Sequence, residues 1–178
     1  IEEMKQKLID ELTIDKFITL QNGNLIQYFD NNINVDIKQY ETSKIYKETN
    51  FEDKSQLFLL NKVARSFENF LNFLNDKDDI IDHTYLWDLV CEPNENLFKN
   101  GINLVILELI NNDVTDNVNI ICPTNHYSSN FFDVNKKTVV LMYKNLYYEP
   151  IYVFNDQGKV LQITRTFSTK DTNIMPHV

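Results

Sequence analysis

A cysteine, a histidine and an aspartate fall within one segment, CPTNHYSSNFFD, which runs from Cys122 to Asp133. Cys122 closes an apolar run typical of a buried strand, and His126 follows four residues later. A thiolate beside an imidazole can act as a nucleophile, and the same groups bind metals, although zinc sites usually use four ligands. Cys122, His126 and Asp133 are therefore the candidate catalytic residues. The alternative is that Cys122 is a small buried hydrophobe and the polar run only links two strands.

The second thiol, Cys91, is predicted to lie where a nucleophile is not favoured. It ends a predicted helix, beside Glu92 and one turn after Asp88. The negative end of a helix dipole and two carboxylates favour the neutral thiol, whereas a reactive cysteine must be a thiolate.

Glu108 lies inside the apolar run VILELIN, which is unusual for a carboxylate. A metal-dependent nuclease often carries an acid-x-Lys pair at the end of a strand, which binds Mg²⁺ and activates water. Ile110 stands where that lysine would be, so the pattern is incomplete. We predict no metal ligands and no cofactor, and keep the nuclease only as an alternative.

The stretch NLYYEPIYVF combines aromatic residues with a proline. Proline has no N–H to give to a strand ladder, so this strand is predicted to lie at a sheet edge or to be bulged. An edge rich in aromatic side chains suits protein docking, while a plain edge strand protected by its proline is the alternative. The candidate binding residues are Tyr147, Tyr148, Glu149, Pro150 and Tyr152.

The elements before residue 50 are predicted from periodicity and turn residues. IEEMKQKLIDEL has the apolar spacing of an amphipathic helix. Asn22-Gly23, between two β-prone runs, predicts a hairpin from Lys16 to Phe29. INVDIKQY alternates apolar and polar residues and is a candidate third strand.

Two further helices are predicted before residue 100. EDKSQLFLLNKVARSFENFLNFLND carries a broad apolar stripe, which predicts a long helix covered on more than one side. Asp82 is the predicted N-cap of a short helix over HTYLWDLVC, and Pro93 suits its exit.

The pattern after Gly101 changes to short apolar runs, which predict about five strands in a mainly antiparallel sheet. With the long and the short helix expected to pack on this sheet, the fold class is α+β. We expect a helix-plus-hairpin region over 1–50 and a main α+β domain over 51–178, or a single domain, cut from a longer protein.

Composition limits the partners. The net charge is -9 and only Arg65 and Arg165 are arginines, which argues against nucleic-acid binding. No apolar run approaches the roughly 20 residues of a membrane span, so no membrane contact is expected. Two cysteines are too few for a disulfide framework and suit a reducing, cytosol-like compartment.

The stretches HTYLWDLV, NLFKNGINLVILEL, VNIICPTNHYSSNFFD, KKTVVLMYKN and YYEPIY resemble a module of uncharacterised proteins from giant, nucleocytoplasmic large DNA viruses. The resemblance covers about Phe67 to Phe154. It agrees with a residue usage typical of AT-rich codons, with 24 asparagines and a single alanine, Ala64. It implies a location in host cytoplasm, viral factory or virion, and no known activity.

The order of YLWDLV, NLVILEL, VNIICP and TVVLMYKNLYYEP is also similar to that in ovarian-tumour-type (OTU) cysteine proteases. In that family the last hairpin carries a catalytic histidine before a tyrosine, and Tyr147 stands at its position. The nucleophilic cysteine, in an Asp-Gly-x-Cys-like setting before a helix, has no counterpart here. The resemblance thus implies a copy without both catalytic groups, or one whose nucleophile lies outside this chain.

Two functions follow from these patterns. The first is a non-catalytic protein-interaction module of a larger viral protein, which binds a protein partner or other domains of the same long chain. The second is an OTU- or papain-like cysteine-protease fold, active or degenerate, with a metal-dependent nuclease behind it.

Overall fold

The computed structural model describes residues 2–110, 118–121, 132–156 and 161–170. The chain divides into two compact units. The N-terminal unit is Ile1–Leu89 with Glu95–Leu97, and the C-terminal unit is Val90–Asn94 with Phe98–Val178. The N-terminal unit includes residues on both sides of position 50, and the domain division predicted there stays a prediction.

Helices make up the regular structure of the described part before residue 100. They are α1 (Glu2–Asp10), α2 (Ile14–Phe17), α3 (Leu25–Tyr28), α4 (Lys44–Glu48), α5 (Lys54–Asn75) and α6 (His83–Cys91). The helices predicted over the first residues, over the long apolar stripe and over HTYLWDLVC are therefore confirmed.

The long helix α5 organises the core of the N-terminal unit. Its buried residues follow helical spacing and include Leu60, Phe67 and Phe70. The ring of Phe17 lies 5.5 Å from that of Phe67 and 5.4 Å from that of Phe70. Since each large buried side chain contributes about 1.5–3 kcal/mol, this aromatic cluster is the main apolar anchor of the unit.

The hairpin predicted from Lys16 to Phe29 is wrong. Helices α2 and α3 occupy that stretch, joined by a short helical segment over Leu20–Gly23. Asn22 and Gly23 do take positive φ, 53° and 82°, as a hairpin turn requires, but Gln21 takes it too, at 47°. The turn residues therefore do not join two strands.

The helical outcome follows from spacing that overrides local strand propensity. Ile14, Phe17 and Leu20 recur every three residues, and all three are buried. Such spacing places the side chains on one helical face, where they join the core of the unit.

The third strand predicted over INVDIKQY is also wrong. Residues 31–36 have no regular structure, and a 3₁₀ turn follows over Ile37–Tyr40. The carboxylate of Asp36 accepts a hydrogen bond of 3.0 Å from the backbone N–H of Lys38, which caps this turn. A capping aspartate competes with strand pairing because it satisfies the backbone locally.

The predicted N-cap of α6 is confirmed, because the Asp82 carboxylate accepts a 2.8 Å hydrogen bond from the N–H of Thr84. After Cys91, the chain returns to Gly101, whose φ is +67°. A β-carbon built on Gly101 would lie 2.2 Å from the carbonyl oxygen of Cys91. Glycine is therefore required where the chain enters the sheet.

The C-terminal unit holds a four-stranded sheet in the order β2-β1-β3-β4 and a separate two-stranded sheet, β5-β6. The strands are β1 (Ile102–Leu109), β2 (Val118–Ile121), β3 (Lys137–Lys144), β4 (Tyr147–Pro150), β5 (Val153–Asp156) and β6 (Leu161–Thr164). The α+β class is confirmed.

The predicted mainly antiparallel sheet of about five strands needs two corrections. The central strands β1 and β3 are parallel, whereas β1 and β2 are antiparallel. The chain passes from β2 across to the other side of β1, where β3 pairs. The run YYEPIYVF also forms two strands in different sheets. Proline at position 150 removes a ladder donor, and the strand ends there.

The net negative charge belongs almost entirely to one unit. The N-terminal unit has 18 acidic and 10 basic side chains, whereas the C-terminal unit has 8 acidic and 7 basic. The sheet-bearing unit is therefore close to neutral, so its net charge produces little long-range repulsion of another protein surface.

Candidate functional site

The candidate catalytic set is described only at Asp133, since Cys122 and His126 lie outside the described residues. The Asp133 carboxylate accepts hydrogen bonds from the backbone N–H and the side-chain amide of Asn135, at 2.8 and 3.1 Å. These bonds close a local turn, so the carboxylate acts as a turn-forming group.

The backbone of Asp133 is held by Asn103, a side chain that is only 2% exposed on β1. The Asn103 amide donates to the Asp133 carbonyl at 2.8 Å, and its oxygen accepts from the Asp133 N–H at 2.9 Å. The same amide lies 3.4 Å from the hydroxyl of the buried Thr138. This buried amide thus fixes where the chain enters β3.

Cys91 lies at the last residue of α6 and is partly exposed. Its backbone carbonyl accepts a 2.9 Å hydrogen bond from the ammonium group of Lys136. Asp88, one turn earlier, accepts a 2.7 Å bond from the backbone N–H of Gln21. The predicted position of Cys91 at a helix C-terminus is confirmed.

Glu108 lies near the end of β1, half-buried, opposite Asn119 on one side and Tyr143 on the other. Within the described ranges, no three histidine, cysteine, aspartate or glutamate side chains come together in a way that suits a metal ion. The described residues therefore give the nuclease alternative no added support.

The predicted edge position of the tyrosine-rich strand is confirmed, because β4 is the outermost strand of the four-stranded sheet. The β3–β4 hairpin is closed by Asn145 and Leu146, whose φ values are 49° and 68°. Two residues at positive φ make a type I′ turn, in which glycine is the usual second residue. Leucine at that position is strained, since a bulky side chain in the left-handed region costs about 1–2 kcal/mol.

The tip of this hairpin is apolar and open to solvent. Leu146 is 67% exposed and Tyr147 is 75% exposed. Glu149 and Pro150 are exposed as well, while Tyr148 is half-buried with its ring 4.8 Å from that of Tyr143. Tyr148 therefore packs on the sheet, and Leu146 with Tyr147 forms the free surface, here named the hairpin tip.

The outer edge of β4 offers few groups for strand addition. The N–H of Ile151 donates a 2.9 Å hydrogen bond to the carbonyl oxygen of Val140 on β3. In an antiparallel pair, alternate residues point their backbone groups toward the neighbouring strand and away from it, so this bond tells which residues of β4 point outward. By that alternation Tyr148 and Pro150 turn their backbone groups outward, and proline has no N–H to offer. Docking at this edge would therefore use side chains.

A second apolar cluster lies on the β5–β6 sheet. Phe154 faces Ile163 across the strands, and the ring of Tyr152 lies 4.9 Å from that of Phe154. All three side chains are exposed. Only Tyr152 is among the binding residues that the sequence predicts. The pattern did not indicate that β5 and β6 form a separate two-stranded sheet with an exposed face.

The N-terminal unit has a shallow groove of about 400 Å³. Its floor is apolar at Ile18, Ile45 and Leu60. Its one aspartate, Asp15, accepts hydrogen bonds from the N–H groups of Lys44 and Ile45 at 2.8 and 3.0 Å. That carboxylate already caps α4, and the other acid that lines the groove, Glu48, lies 3.8 Å from the ammonium group of Lys44 in an exposed ion pair.

Comparisons with protein-family models, with curated proteins and with solved structures found no match. Among the described residues, no helix is both long and apolar enough to cross a membrane. The function must therefore be argued from the residues themselves.

Proposed function

We propose that the chain is a non-catalytic protein-interaction module of a larger viral protein. Its docking surface is the hairpin tip, Leu146 and Tyr147, with Glu149 at the rim. The partner is another protein or another domain of the same long chain. The viral origin and the location in host cytoplasm, viral factory or virion rest on the resemblance in sequence and stay predictions.

The observation that carries the proposal is the strained and exposed Leu146. A leucine at φ 68° and 67% exposure gives the fold neither a relaxed turn nor a buried side chain. Glycine at this position would suit the turn better. A residue that lowers stability and gains no buried contact within the fold is expected where its side chain contacts another molecule.

The neighbouring residues suit such a contact. Tyrosine is enriched among interface residues that dominate binding energy, because its ring buries a large area with little loss of conformational freedom. Tyr147 is exposed at 75%, and its neighbour Tyr148 is packed against Tyr143. The hairpin therefore presents one exposed and one packed tyrosine beside the leucine.

The test compares proteins bound by the parent chain, by Leu146→Gly/Tyr147→Ser and by Tyr28→Ser. Tyr28 is 69% exposed in the N-terminal unit, so its replacement is a matched surface control. Each chain is immobilised, incubated with lysate from infected host cells, and its bound proteins are quantified by mass spectrometry. We expect proteins that the hairpin variant loses and the control keeps, and the purified partner to bind the hairpin variant at least about tenfold more weakly.

Equal recovery by all three chains would refute the hairpin tip as the docking surface.

A second measurement addresses the enzyme alternative directly. Rapid alkylation of a cysteine at mildly acidic pH would indicate a stabilised thiolate and favour the protease reading, whereas slow labelling is expected of structural thiols.

A further inference from the structure

The opposite edge of the four-stranded sheet, β2, is a four-residue strand without a charged residue, a proline or a bulge. Proteins usually guard an edge strand with a proline, a charged residue or a bulge, because its unpaired backbone groups can pair with another strand. The β4 edge has Pro150, whereas β2 reads Val-Asn-Ile-Ile, without charge or proline. Backbone pairing is therefore possible at β2 and hindered at β4.

The exposure of β2 shows that it is open on both faces. Val118 is 41% exposed, Ile120 is 54% exposed, and Asn119 between them is exposed as well. Because successive side chains point to opposite faces of a sheet, three consecutive exposed residues mean that neither face is covered. In the part of the chain that the structure describes, β1 is the one strand paired with β2.

The charge distribution favours a second copy of this chain as the occupant. The C-terminal unit carries 8 acidic and 7 basic side chains, so two such units can approach without strong repulsion. A strongly basic partner would gain little long-range attraction from a unit with 8 acidic and 7 basic side chains. The uncharged strand also brings no like charges together when it pairs with itself.

We propose that two copies associate through antiparallel pairing of β2 with β2, which joins their sheets into one of eight strands. A two-fold axis perpendicular to the sheet relates the strands, so either Asn119 or Ile120 faces its own copy. With Asn119 on the axis, Val118 of each copy faces Ile120 of the other, and with Ile120 on the axis, the two Ile120 side chains face each other. The interface is then isologous, with backbone bonds at its centre and apolar pairs beside them.

Analytical ultracentrifugation of the full chain over a wide concentration range tests this proposal. We expect a monomer–dimer equilibrium, and Ile120→Lys should weaken the dimer at least about tenfold because two ammonium groups would meet near the axis. Val134→Lys is the matched control, since Val134 is 64% exposed in the same unit but outside β2. A chain that stays monomeric, or an equal effect of both lysines, would overturn the proposal.

Single cysteine variants provide a readout that does not depend on the folding of Ile120→Lys. Asn119→Cys and Ile120→Cys place a thiol at the two possible axis positions. Under mild oxidation, one of them should form an intermolecular disulfide at least about tenfold faster than Val134→Cys, because cross-strand β-carbons lie within bonding reach. The parent chain, oxidised in parallel, gives the background from its own cysteines. If neither variant cross-links faster than Val134→Cys, β2 does not pair with itself.

Discussion

Replacing Gly101 by alanine is expected to destabilise the C-terminal unit strongly. Gly101 has φ +67°, and a β-carbon there would lie 2.2 Å from the carbonyl oxygen of Cys91. The same β-carbon would lie 3.1 Å from backbone atoms of Glu92 and Pro93. All these neighbours are backbone, so none can rotate away and the chain itself must shift.

Gly23 offers a matched comparison that isolates the steric contribution. Its φ is also positive, at +82°, but an added β-carbon would lie 3.4 Å from the Ile18 carbonyl oxygen, which is an ordinary contact. Left-handed backbone costs alanine about 1–2 kcal/mol at either site, and reduced freedom of the unfolded chain returns about 0.4–1 kcal/mol. Gly23→Ala should therefore cost about 1 kcal/mol or less.

Gly101→Ala adds the overlap with the Cys91 carbonyl, and overpacking of this kind typically costs about 1–3 kcal/mol more. The total expected loss is about 2–4 kcal/mol. The shift would also disturb the 2.9 Å hydrogen bond from Lys136 to that carbonyl. Lys136→Met alone should cost less, because it removes the bond without forcing the backbone apart.

Hydrogen exchange measured by mass spectrometry separates the two units, since it reports opening free energies for each peptide. Gly101→Ala should lower protection in β1 and β3, and Gly23→Ala should lower it slightly in α2 and α3. Equal losses for the two variants would show that positive φ alone sets the cost. The close approach of residue 101 to the end of α6 would then not contribute to stability.

Three further substitutions have expected outcomes. Leu146→Gly should raise the free energy of unfolding by about 0.5–1 kcal/mol, and with it the thermal midpoint, because glycine relieves the strained turn and little buried area is lost. An unchanged or lower midpoint would contradict this. Asn103→Ala should cost about 2–4 kcal/mol in urea unfolding, because it leaves both backbone groups of Asp133 without their partner, and a loss below about 1 kcal/mol would show that water replaces the amide. Hydrogen bonds from the Ser55 hydroxyl and then from its backbone N–H hold the pKa of Asp53 below its ordinary value. A lowered folded-state pKa contributes stability that is present above the unfolded-state pKa and lost as pH falls through the folded-state pKa. Asp53→Asn should therefore flatten the decline of the thermal midpoint on acidification, and an unchanged acid decline would exclude this carboxylate as a contributor.

The long helix and the central strands were predictable because one period dominates each segment. The apolar positions of α5 span six turns, and the structure buries the central row of them, including Leu60, Phe67 and Phe70, while Leu59 at the margin is 52% exposed. The run Ile102–Leu109 is apolar without alternation, which suits a strand with neighbours on both sides. In such segments no local signal competes with the dominant period.

The hairpin prediction failed because it depended on a local turn signal and not on the spacing of the apolar residues that precede the turn. Asn22-Gly23 prefers positive φ in any context, and a left-handed turn between short helices satisfies that preference as well as a hairpin does. Ile14, Phe17 and Leu20 decide between the two outcomes, since a strand would turn Phe17 away from the other two, whereas all three are buried.

Sheet order and much of the docking surface were not accessible from pattern alone. Whether β3 adds beside β2 or beside β1 depends on which pairing buries more surface, and both choices fit the same apolar run. The tyrosine-rich edge was predicted from Pro150, but Leu146 is not among the binding residues that the sequence predicts. Its strain is a property of φ, and no residue pattern revealed it.

The two proposed contacts lie at opposite edges of one sheet, so they can occur together. With strands about 4.8 Å apart, β2 and β4 are about 14 Å from each other, and pairing through β2 would place the two β4 strands about 34 Å apart. A dimer would then hold two partner molecules that face away from the shared axis. Linked binding sites of this kind raise the apparent affinity for a clustered partner, by up to about 10²–10⁴-fold where the geometry allows both to engage.

This consequence is testable once a partner of the hairpin tip has been purified. The partner is immobilised at low and at high density, and the apparent affinities of the parent chain and of Ile120→Lys are compared by surface plasmon resonance. The parent should bind the dense surface more tightly than the sparse one, while Ile120→Lys, with its hairpin tip intact, should bind both alike. A density effect that persists in Ile120→Lys would mean that clustering on the surface, rather than association through β2, produces the gain. Loss of binding by Ile120→Lys at both densities would instead place β2 inside the partner's own footprint, and the two edges would then form one surface.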